Sequence, residues 1–176
     1  MAGENFDFLE GFGIAESSVK QPEKAYQTFL IKVCNQLAKD LSDYTKKNAN
    51  NTGGLAASIQ PFPTGNLTIE IRADDYFAYQ DEGVNSVNSN NYGSRFSFNY
   101  PGVSANMAKA ISQWKGMDMS HAYAVAYNIK QHGIKPKEII DNVITDKVLE
   151  KIAKDLSAVT GIIFSIKFDK ATKQII

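Results

Sequence analysis

The longest hydrophobic pattern in the chain predicts a long helix near its N-terminus. From residue 22 to about residue 47, apolar residues recur in steps of three and four, which is the spacing of one helical face. Pro22 suits the first turn of a helix, because a proline has no amide proton to leave unpaired there. The stripe consists of Tyr26, Phe29, Leu30, Val33, Leu37, Leu41 and Tyr44. The asparagine-rich residues 48–53 are expected to end the helix, and Cys34, beside the stripe, is interpreted as a small packed residue.

Alternation of apolar and polar residues predicts two strands. In residues 66–73, Leu67, Ile69 and Ile71 share one face while polar side chains share the other, as in a half-buried strand. Residues 162–168 repeat the alternation and predict a final strand near the C-terminus. Residues 75–84, which mix aromatic and acidic side chains, fit neither pattern clearly.

Three further helices are predicted in the second half of the chain. The first covers residues 104–115, and the second runs from Ser120, a good N-terminal cap, to about residue 131 before Gly133. The third is expected over residues 136–159 as one continuous helix. The whole pattern predicts an α+β fold, in which a small, mainly antiparallel sheet packs with the long N-terminal helix and the C-terminal helices.

The domain organisation follows from these elements and the segments between them. Residues 1–19 are predicted to form an N-terminal arm, followed by a single domain over residues 20–176 with a helical insertion at about 84–132. The arm carries four acidic residues, several phenylalanines and no basic residue. Residues 85–100 are rich in Asn, Ser and Gly and predict a long loop, with a short strand or ordered contact segment over residues 95–100.

The arm and the loop are the predicted contact surfaces of the molecule, because exposed aromatic clusters usually mark contacts. A frayed terminus is the alternative interpretation of the arm. The residues predicted to contact another subunit or a partner are Phe6, Phe8, Phe12, Tyr92, Arg95, Phe96, Phe98 and Tyr100.

Composition and charge narrow the classes of function. The chain has 19 basic and 19 acidic residues, and only Arg72 and Arg95 are arginines. A direct nucleic-acid role is therefore disfavoured, because such proteins usually carry a basic surplus and use arginine to recognise phosphate and guanine. The single Cys34 excludes an internal disulfide and a cysteine-rich zinc site. No apolar run is long enough to span a membrane and no secretory signal is recognised, so synthesis in the cytosol is expected.

The residues that could carry chemistry do not form a recognisable catalytic or metal-binding pattern. His121 and His132 lie 11 residues apart on one predicted helix, about three turns from each other, and could not bind one metal from it. No nucleophile motif or phosphate-binding loop is present, so we expect no enzyme and no cofactor. A small hydrolase that uses either histidine stays as a minor alternative. The clustered carboxylates, interpreted as a solvated acidic edge, are Asp74, Asp75, Asp81 and Glu82.

Residues 106–133 contain a helix, a short break and a helix, so a helix-turn-helix regulator is an alternative. The N-terminal half of the second helix, residues 120–128, is rich in alanine and tyrosine and poor in the side chains that read bases. A packed, alanine-lined helix is the favoured interpretation.

One constellation resembles a known family. Residues 52–59 read Thr-Gly-Gly-Leu-Ala-Ala-Ser-Ile and resemble the TG-x-L-x-x-S-I segment of the tail-completion and neck proteins of long-tailed bacteriophages. As in that family, a long helix precedes the segment, and the alternating residues 66–73 follow it. Residues 76–83, Tyr-Phe-Ala-Tyr-Gln-Asp-Glu-Gly, are similar to the family's aromatic-Ala-aromatic stretch that ends in acidic-x-Gly. Residues 133–140, Gly-Ile-Lys-Pro-Lys-Glu-Ile-Ile, look like its proline-containing segment, although the family more often has an aromatic residue after the proline.

The resemblance implies a structural virion protein at the head-tail junction, synthesised in the bacterial host's cytoplasm. It would form a homo-oligomeric ring, six- or twelve-fold, between the portal or adaptor proteins and the tail, with packaged DNA passing through the ring and no membrane involved. Ring closure needs different patches on the two sides of each subunit. Acidic residues facing the lumen would repel DNA and let it slide, and the candidates are Glu70, Asp81 and Glu82. Another ring or tail component, or a tail-assembly factor, is the alternative.

Overall fold

The computed structural model of the chain describes residues 22–49, 53–63, 69–161, 165–169 and 174–175. Its architecture is α+β, as predicted, with a long first helix and small antiparallel strand pairs. The helices are α1 (Pro22–Asn48), α2 (Gly54–Ser58), α3 (Tyr76–Asp81), α4 (Ala105–Lys115), α5 (Met119–His132), α6 (Ile139–Val143) and α7 (Asp146–Thr160). The strands are β1 (Gln60–Pro63), β2 (Ile69–Arg72), β3 (Phe168–Asp169) and β4 (Gln174–Ile175).

The chain divides into two compact units, and each is built from separate stretches of sequence. The first unit takes the chain up to Asp40, then Gln60–Arg72, and then the chain from Asp141 onwards. The second unit takes Leu41–Ile59 and Ala73–Ile140. Helix α1 therefore contributes its N-terminal part to the first unit and its last turns to the second. The predicted insertion at about 84–132 lies entirely within the second unit.

The core of the first unit is where α1 meets α7. Phe29, Val33 and Leu37 of the predicted stripe pack with Leu156, and all four side chains are buried. Ile71 of β2 packs against the same cluster. Strands β1 and β2 pair antiparallel, with Gln60 opposite Arg72 at one end of the ladder. Burial of large apolar side chains such as Phe29 stabilises the unit by roughly 1.5–3 kcal/mol each.

Cys34 is buried beside this core, as the sequence predicted, and its Sγ lies 3.8 Å from the backbone oxygen of Glu70. Burial raises the pKa of the Cys34 thiol from 9.0 to about 11. At neutral pH the thiolate population is then about 100-fold smaller than that of an unperturbed thiol, and the thiolate is the reactive form. We expect iodoacetamide to modify Cys34 at least about 100-fold more slowly in the native protein than in the same protein in urea. Comparable rates measured by mass spectrometry in the two states would contradict this account.

The second unit contains a helical hairpin formed by α4 and α5. Ser104 caps α4 by accepting a hydrogen bond from the amide of Met107 at 3.2 Å, and Gly116 ends the helix in the left-handed conformation. The helices pack through a buried cluster of three alanines and one isoleucine, which are Ala108, Ala122, Ala126 and Ile111. Alanines allow the two backbones to approach closely. The interpretation of α5 as a packed, alanine-lined helix is confirmed in this respect.

Several predicted elements differ from the structure. The continuous helix over residues 136–159 is wrong: α6 and α7 are separate, and extended Thr145 stands at the start of α7, its oxygen accepting from the amide of Leu149 at 3.0 Å. The ambiguous residues 75–84 contain helix α3. Of the strand predicted over residues 66–73, Ile69–Arg72 is confirmed and residues 66–68 lie outside the described residues.

The final strand predicted over residues 162–168 is wrong for residues 165–167 and confirmed at Phe168. Residues 162–164 lie outside the described residues, and residues 165–167 adopt no regular structure. The observed strand β3 pairs with β4 farther along the chain, with Phe168 opposite Ile175. Within the described residues, the strand therefore begins later than the alternation predicts.

Candidate subunit-contact surface

The candidate surface in the second unit is built on a junction between two distant segments. Val84 and Ile134 exchange backbone hydrogen bonds of 2.9 and 2.7 Å. The same two segments are also joined by the backbone amide of Lys137, which donates to the backbone oxygen of Gln80 at 2.8 Å. The neighbouring Glu138 has a φ of +49°, an uncommon conformation for a residue with a side chain, and its amide donates to the oxygen of Asp81 at 3.0 Å.

Asp81 belongs to this junction, and its prediction as a channel-facing residue is wrong. Its side chain is only 3% exposed, and one carboxylate oxygen accepts from the backbone amide of Ile140 at 2.9 Å. A carboxylate that is buried in this way and accepts from a backbone amide does not present its charge to a lumen. The acidic edge predicted from the sequence is therefore reduced to exposed Asp74 and Asp75 and the half-buried Glu82.

The other two channel-facing candidates keep accessible carboxylates, and each is paired with one of the two arginines. Glu82 lies 3.0 Å from Nε of Arg95. Glu70, on β2 in the first unit, lies 3.0 Å from Arg72, and both side chains are about half exposed. Such exposed pairs stabilise a fold weakly. Whether Glu70 and Glu82 face a channel stays a prediction.

Asn85 organises the predicted loop over residues 85–100. Its side chain is buried, at 1% exposed for the residue, and makes four hydrogen bonds. Nδ2 donates to the oxygen of Ser94 at 2.6 Å and to Oγ of Ser97 at 3.1 Å, while Oδ1 accepts from the amides of Tyr92 and Ser94. The backbone of Asn85 also bridges to Phe96 and Phe98. The loop is therefore held in a defined shape by one buried amide.

A second set of bonds ties the beginning of the loop to the end of α5. Val87 donates from its backbone to the oxygen of Lys130 at 3.0 Å, and Asn91 donates from Nδ2 to the oxygen of His132 at 2.7 Å. The oxygens at the C-terminal end of a helix have no partner within the helix. The loop supplies donors for two of them, so the asparagines that identify the segment as a loop also fix it to the hairpin.

The predicted contact residues of the loop fall into two groups. Phe96 is half-buried and packs edge-on against Tyr79 of α3, with 4.5 Å between the ring centroids. Arg95 is exposed, and its guanidinium carbon lies 4.8 Å from the centroid of the Phe96 ring. The sequence placed these two residues at a contact surface, but it did not indicate that α3 supplies Tyr79 and the exposed Tyr76 beside them.

The second group surrounds Lys130 of α5. Its ammonium donates to the backbone oxygens of Tyr100 and Gly102 and lies 5.9 and 5.7 Å from the ring centroids of Phe98 and Tyr100. Tyr100 is 71% exposed, the largest value among the exposed large hydrophobic side chains of the described residues. Tyr92 is also partly exposed. Phe6, Phe8 and Phe12 lie outside the described residues.

The surface includes residues that the sequence analysis did not select. Met119, Tyr123 and Tyr127 follow one another at intervals of four on α5 and are 42%, 39% and 52% exposed. Residues four apart lie on the same side of a helix. The sequence already shows Met119, Tyr123 and Tyr127 at intervals of four, with Ala122 and Ala126 between them. Only the structure shows that the alanines pack on α4 and that the three larger side chains stay exposed.

Comparison with known proteins adds no relative to this geometry. The chain matches no model of a protein family, no curated protein and no solved structure. The function must therefore be argued from the residues and their arrangement.

The chemistry available in the described part of the chain is limited. Among those residues, no group of three His, Cys, Asp or Glu side chains could hold a metal ion. His121 is exposed, and its Nδ1 contacts Oδ2 of Asp118 at the start of α5, while His132 is the last residue of that helix. Within the same ranges, no helix is both long and apolar enough to cross a membrane.

Asp118 caps helix α5, and the cap should respond to acid. Its Oδ1 accepts from the amides of Ser120 and His121 at 2.9 and 3.1 Å, and the hydrogen bond from the His121 amide is the main cause that lowers the pKa of Asp118 below 3.8. Because the carboxylate is favoured in the folded state, its contribution is full above the unfolded pKa and is lost as the pH falls through the lower folded value. We expect the Cα chemical shifts of Ser120 and His121 to lose helical character only below about pH 3.8.

The control for this cap is Asp118→Asn, since asparagine also caps helices but does not titrate in this range. The variant should keep the helical shifts at both residues down to the pH at which the whole protein unfolds. An acid transition of the same size in the variant would show that Asp118 is not its cause.

Proposed function

We propose that the chain is a structural virion protein of a tailed bacteriophage. It forms a ring at the head-tail junction, as a neck, connector or tail-completion protein, and joins the portal to the tail. The proposal starts from the resemblance of residues 52–59, 76–83 and 133–140 to tail-completion and neck proteins. The fold adds support, because these separate segments become parts of one framework.

The observation that carries the proposal is the junction between α3 and the segment before α6. Residues 76–83 and 133–140 are joined by the backbone bonds from Lys137 to Gln80 and from Glu138 to Asp81, and by the bond from Ile140 to the Asp81 carboxylate. Gly83 and Gly133 both have a positive φ, and a Cβ at either position would collide with a backbone oxygen of the opposite segment. Motif pieces that matched by chance would have no reason to meet, so their contact favours a shared scaffold.

Residues 52–59 belong to the same unit as this junction. Ser58 accepts with its hydroxyl from the amide of Asp74 at 3.1 Å, directly before α3, and Ala56 accepts from the hydroxyl of Ser42 on α1 at 2.8 Å. Ala56 and Ile59 are buried. The resemblance therefore lies in residues that hold a scaffold together, as is expected of a protein whose role is assembly.

The proposal is tested by quantitative mass spectrometry of purified, DNA-filled particles from the source virus. We expect the chain at a low, fixed copy number, about that of the portal protein and far below that of the capsid protein. Absence of the chain from intact particles would overturn the proposal. Cross-linking of the same particles separates a ring between portal and tail from another ring or tail component, since only the former contacts the portal.

The lumen hypothesis is tested in the same particles by neutralising Glu70 and Glu82 together, as Glu70→Gln with Glu82→Gln. Loss of charge facing DNA should slow ejection, because the repulsion that keeps DNA from the wall is removed. Glu150→Gln, at an exposed glutamate of α7, is the control and should eject DNA at the normal rate. Unchanged ejection by the double variant would count against a channel-facing role.

A helix-turn-helix regulator is less well supported by the geometry. The helix that would read bases, α5, starts at the exposed carboxylate of Asp118, which would face the phosphate backbone. Salt-dependent binding of the purified chain to duplex DNA would nevertheless revive this alternative.

A further inference from the structure

Helix α5 exposes an aromatic surface beside the alanines that pack on α4. We define the α5 face as Met119, Tyr123 and Tyr127, together with Lys130 and Tyr100 at its C-terminal end. Lys130 follows Tyr127 by three positions, so the two are neighbours on the helix, and the Lys130 ammonium donates to the backbone of Tyr100. Exposed aromatic side chains clustered in this way, with two tyrosines on the helix and Tyr100 on a loop, are typical of a contact surface.

The hairpin that carries the α5 face has a positive formal charge. Residues 103–133, which include both helices of the hairpin, contain Lys109, Lys115 and Lys130 and only one acidic residue, Asp118. Their aromatic residues are Trp114, Tyr123 and Tyr127. An occupant that complements this surface would carry acidic and aromatic side chains close together in sequence.

One segment of the chain has that composition. Residues 1–19 contain Glu4, Asp7, Glu10 and Glu16 with no basic residue, and Phe6, Phe8 and Phe12 stand among them. We propose that residues 1–19 of one copy dock on the α5 face of a second copy. The phenylalanines would pack on Tyr123 and Tyr127, and the carboxylates would lie near the lysines of the hairpin.

This inference rests on the proposed ring and specifies one of its contacts. The arm and the α5 face are different patches of one chain, so a contact between them is head-to-tail, as a closed ring requires. An extended chain spans up to about 3.3–3.6 Å per residue, so 19 residues reach up to about 63–68 Å. That reach is long compared with helix α5, whose 14 residues span about 21 Å.

The experiment measures binding of a fluorescent peptide of residues 1–19 to the full chain by anisotropy. The full chain carries Phe6→Ser, Phe8→Ser and Phe12→Ser, so that its own arm does not compete. We expect saturable binding that weakens at least about tenfold with Tyr123→Gln and Tyr127→Gln together. Binding should also weaken as salt is raised, because opposite charges meet. Ile31→Gln, at an exposed apolar residue of helix α1, is the control and should leave the affinity unchanged.

Two results would overturn the inference. One is the absence of binding at millimolar peptide, and the other is binding that the Tyr123 and Tyr127 changes leave unaffected. Circular dichroism establishes that each variant is folded, and glutamine at exposed helical positions is not expected to disrupt α5.

A second measurement distinguishes docking on another copy from docking on the same copy. Two differently tagged full chains with Cys34→Ala are mixed, one with Phe8→Cys and the other with Tyr127→Cys, and oxidised. A disulfide that joins the two differently tagged chains is expected. A third chain that carries both Phe8→Cys and Tyr127→Cys is oxidised separately, and formation of only an internal disulfide in it would contradict the proposal. If the chains cross-link but the protein is absent from particles, the proposed function fails and the contact stands. If the protein is in particles and no cross-link forms, the contact fails and the function stands.

Discussion

Replacing Gly133 with alanine should destabilise the protein by roughly 3–5 kcal/mol. Gly133 ends α5 at φ 78° and ψ −172°, a backbone region that side chains essentially do not enter. An added Cβ would also collide with the oxygen of Val84 and lie 2.9 Å from the Tyr92 ring and 3.0 Å from the amide of Ser86. Two of those contacts are backbone atoms, which cannot move aside cheaply. The free energy of unfolding in urea is the measurement.

Gly93 provides the matched control in the same unit. It has a φ of +64°, but a Cβ added there would meet nothing within 4 Å. Gly93→Ala should therefore cost only the left-handed conformation, roughly 1–2 kcal/mol. Equal losses at the two positions would mean that the junction between Val84 and Ile134 is not as tight as described.

Replacing Asn85 with alanine should cost roughly 2–4 kcal/mol, because it deprives several groups in a buried setting of their partners. The amides of Tyr92 and Ser94 lose the Asn85 oxygen, and the Ser94 oxygen loses a donor at 2.6 Å. The loss should be concentrated in the loop. We expect the amides of Tyr92 and Ser94 to exchange with deuterium faster in the variant than in the unchanged protein. The increase in rate, converted to a free energy, should account for most of the stability that the variant loses.

Asn88→Ala is the control for this prediction. Asn88 is exposed, and its side chain makes a single bond of 2.7 Å to Gln131, so its loss should change stability by no more than about 0.5 kcal/mol. Slow exchange at Tyr92 and Ser94 that persists in the Asn85 variant would contradict the role given to the buried amide.

The fold was predictable where local pattern and tertiary packing agree. The stripe of α1 and the glycine after α5 act within a few residues, and the corresponding helices were found near their expected bounds. The cap predicted at Ser120 is wrong, because Asp118 caps α5 and Ser120 lies inside the helix. The break at Thr145 was missed because residues 136–159 are apolar at helical spacing throughout. Thr145 followed by Asp146 is a cap signal, yet it competes with that continuous pattern.

The candidate site was predictable only in part, for a different reason. Composition identified the loop and its aromatic residues, but burial of a polar side chain depends on distant partners. Asp81 lies in an acidic stretch that suggests exposure, and only the amide of Ile140, 59 residues away in sequence, explains its burial. Asn85 looked like one of several loop asparagines, and its central position follows from contacts with Ser94 and Ser97.

The core of the first unit combines residues that are far apart in sequence, so it cannot form until the later ones have been synthesised. Phe29 of α1 and Leu156 of α7 belong to one core. At a translation rate of about 5–20 residues per second, the partner of Phe29 leaves the ribosome roughly 6–25 s after it. During that interval the apolar stripe of α1 has no α7 to cover it. Nascent chains should therefore be captured by chaperones through this stripe, and the first unit should become protease-resistant only after α7 has emerged.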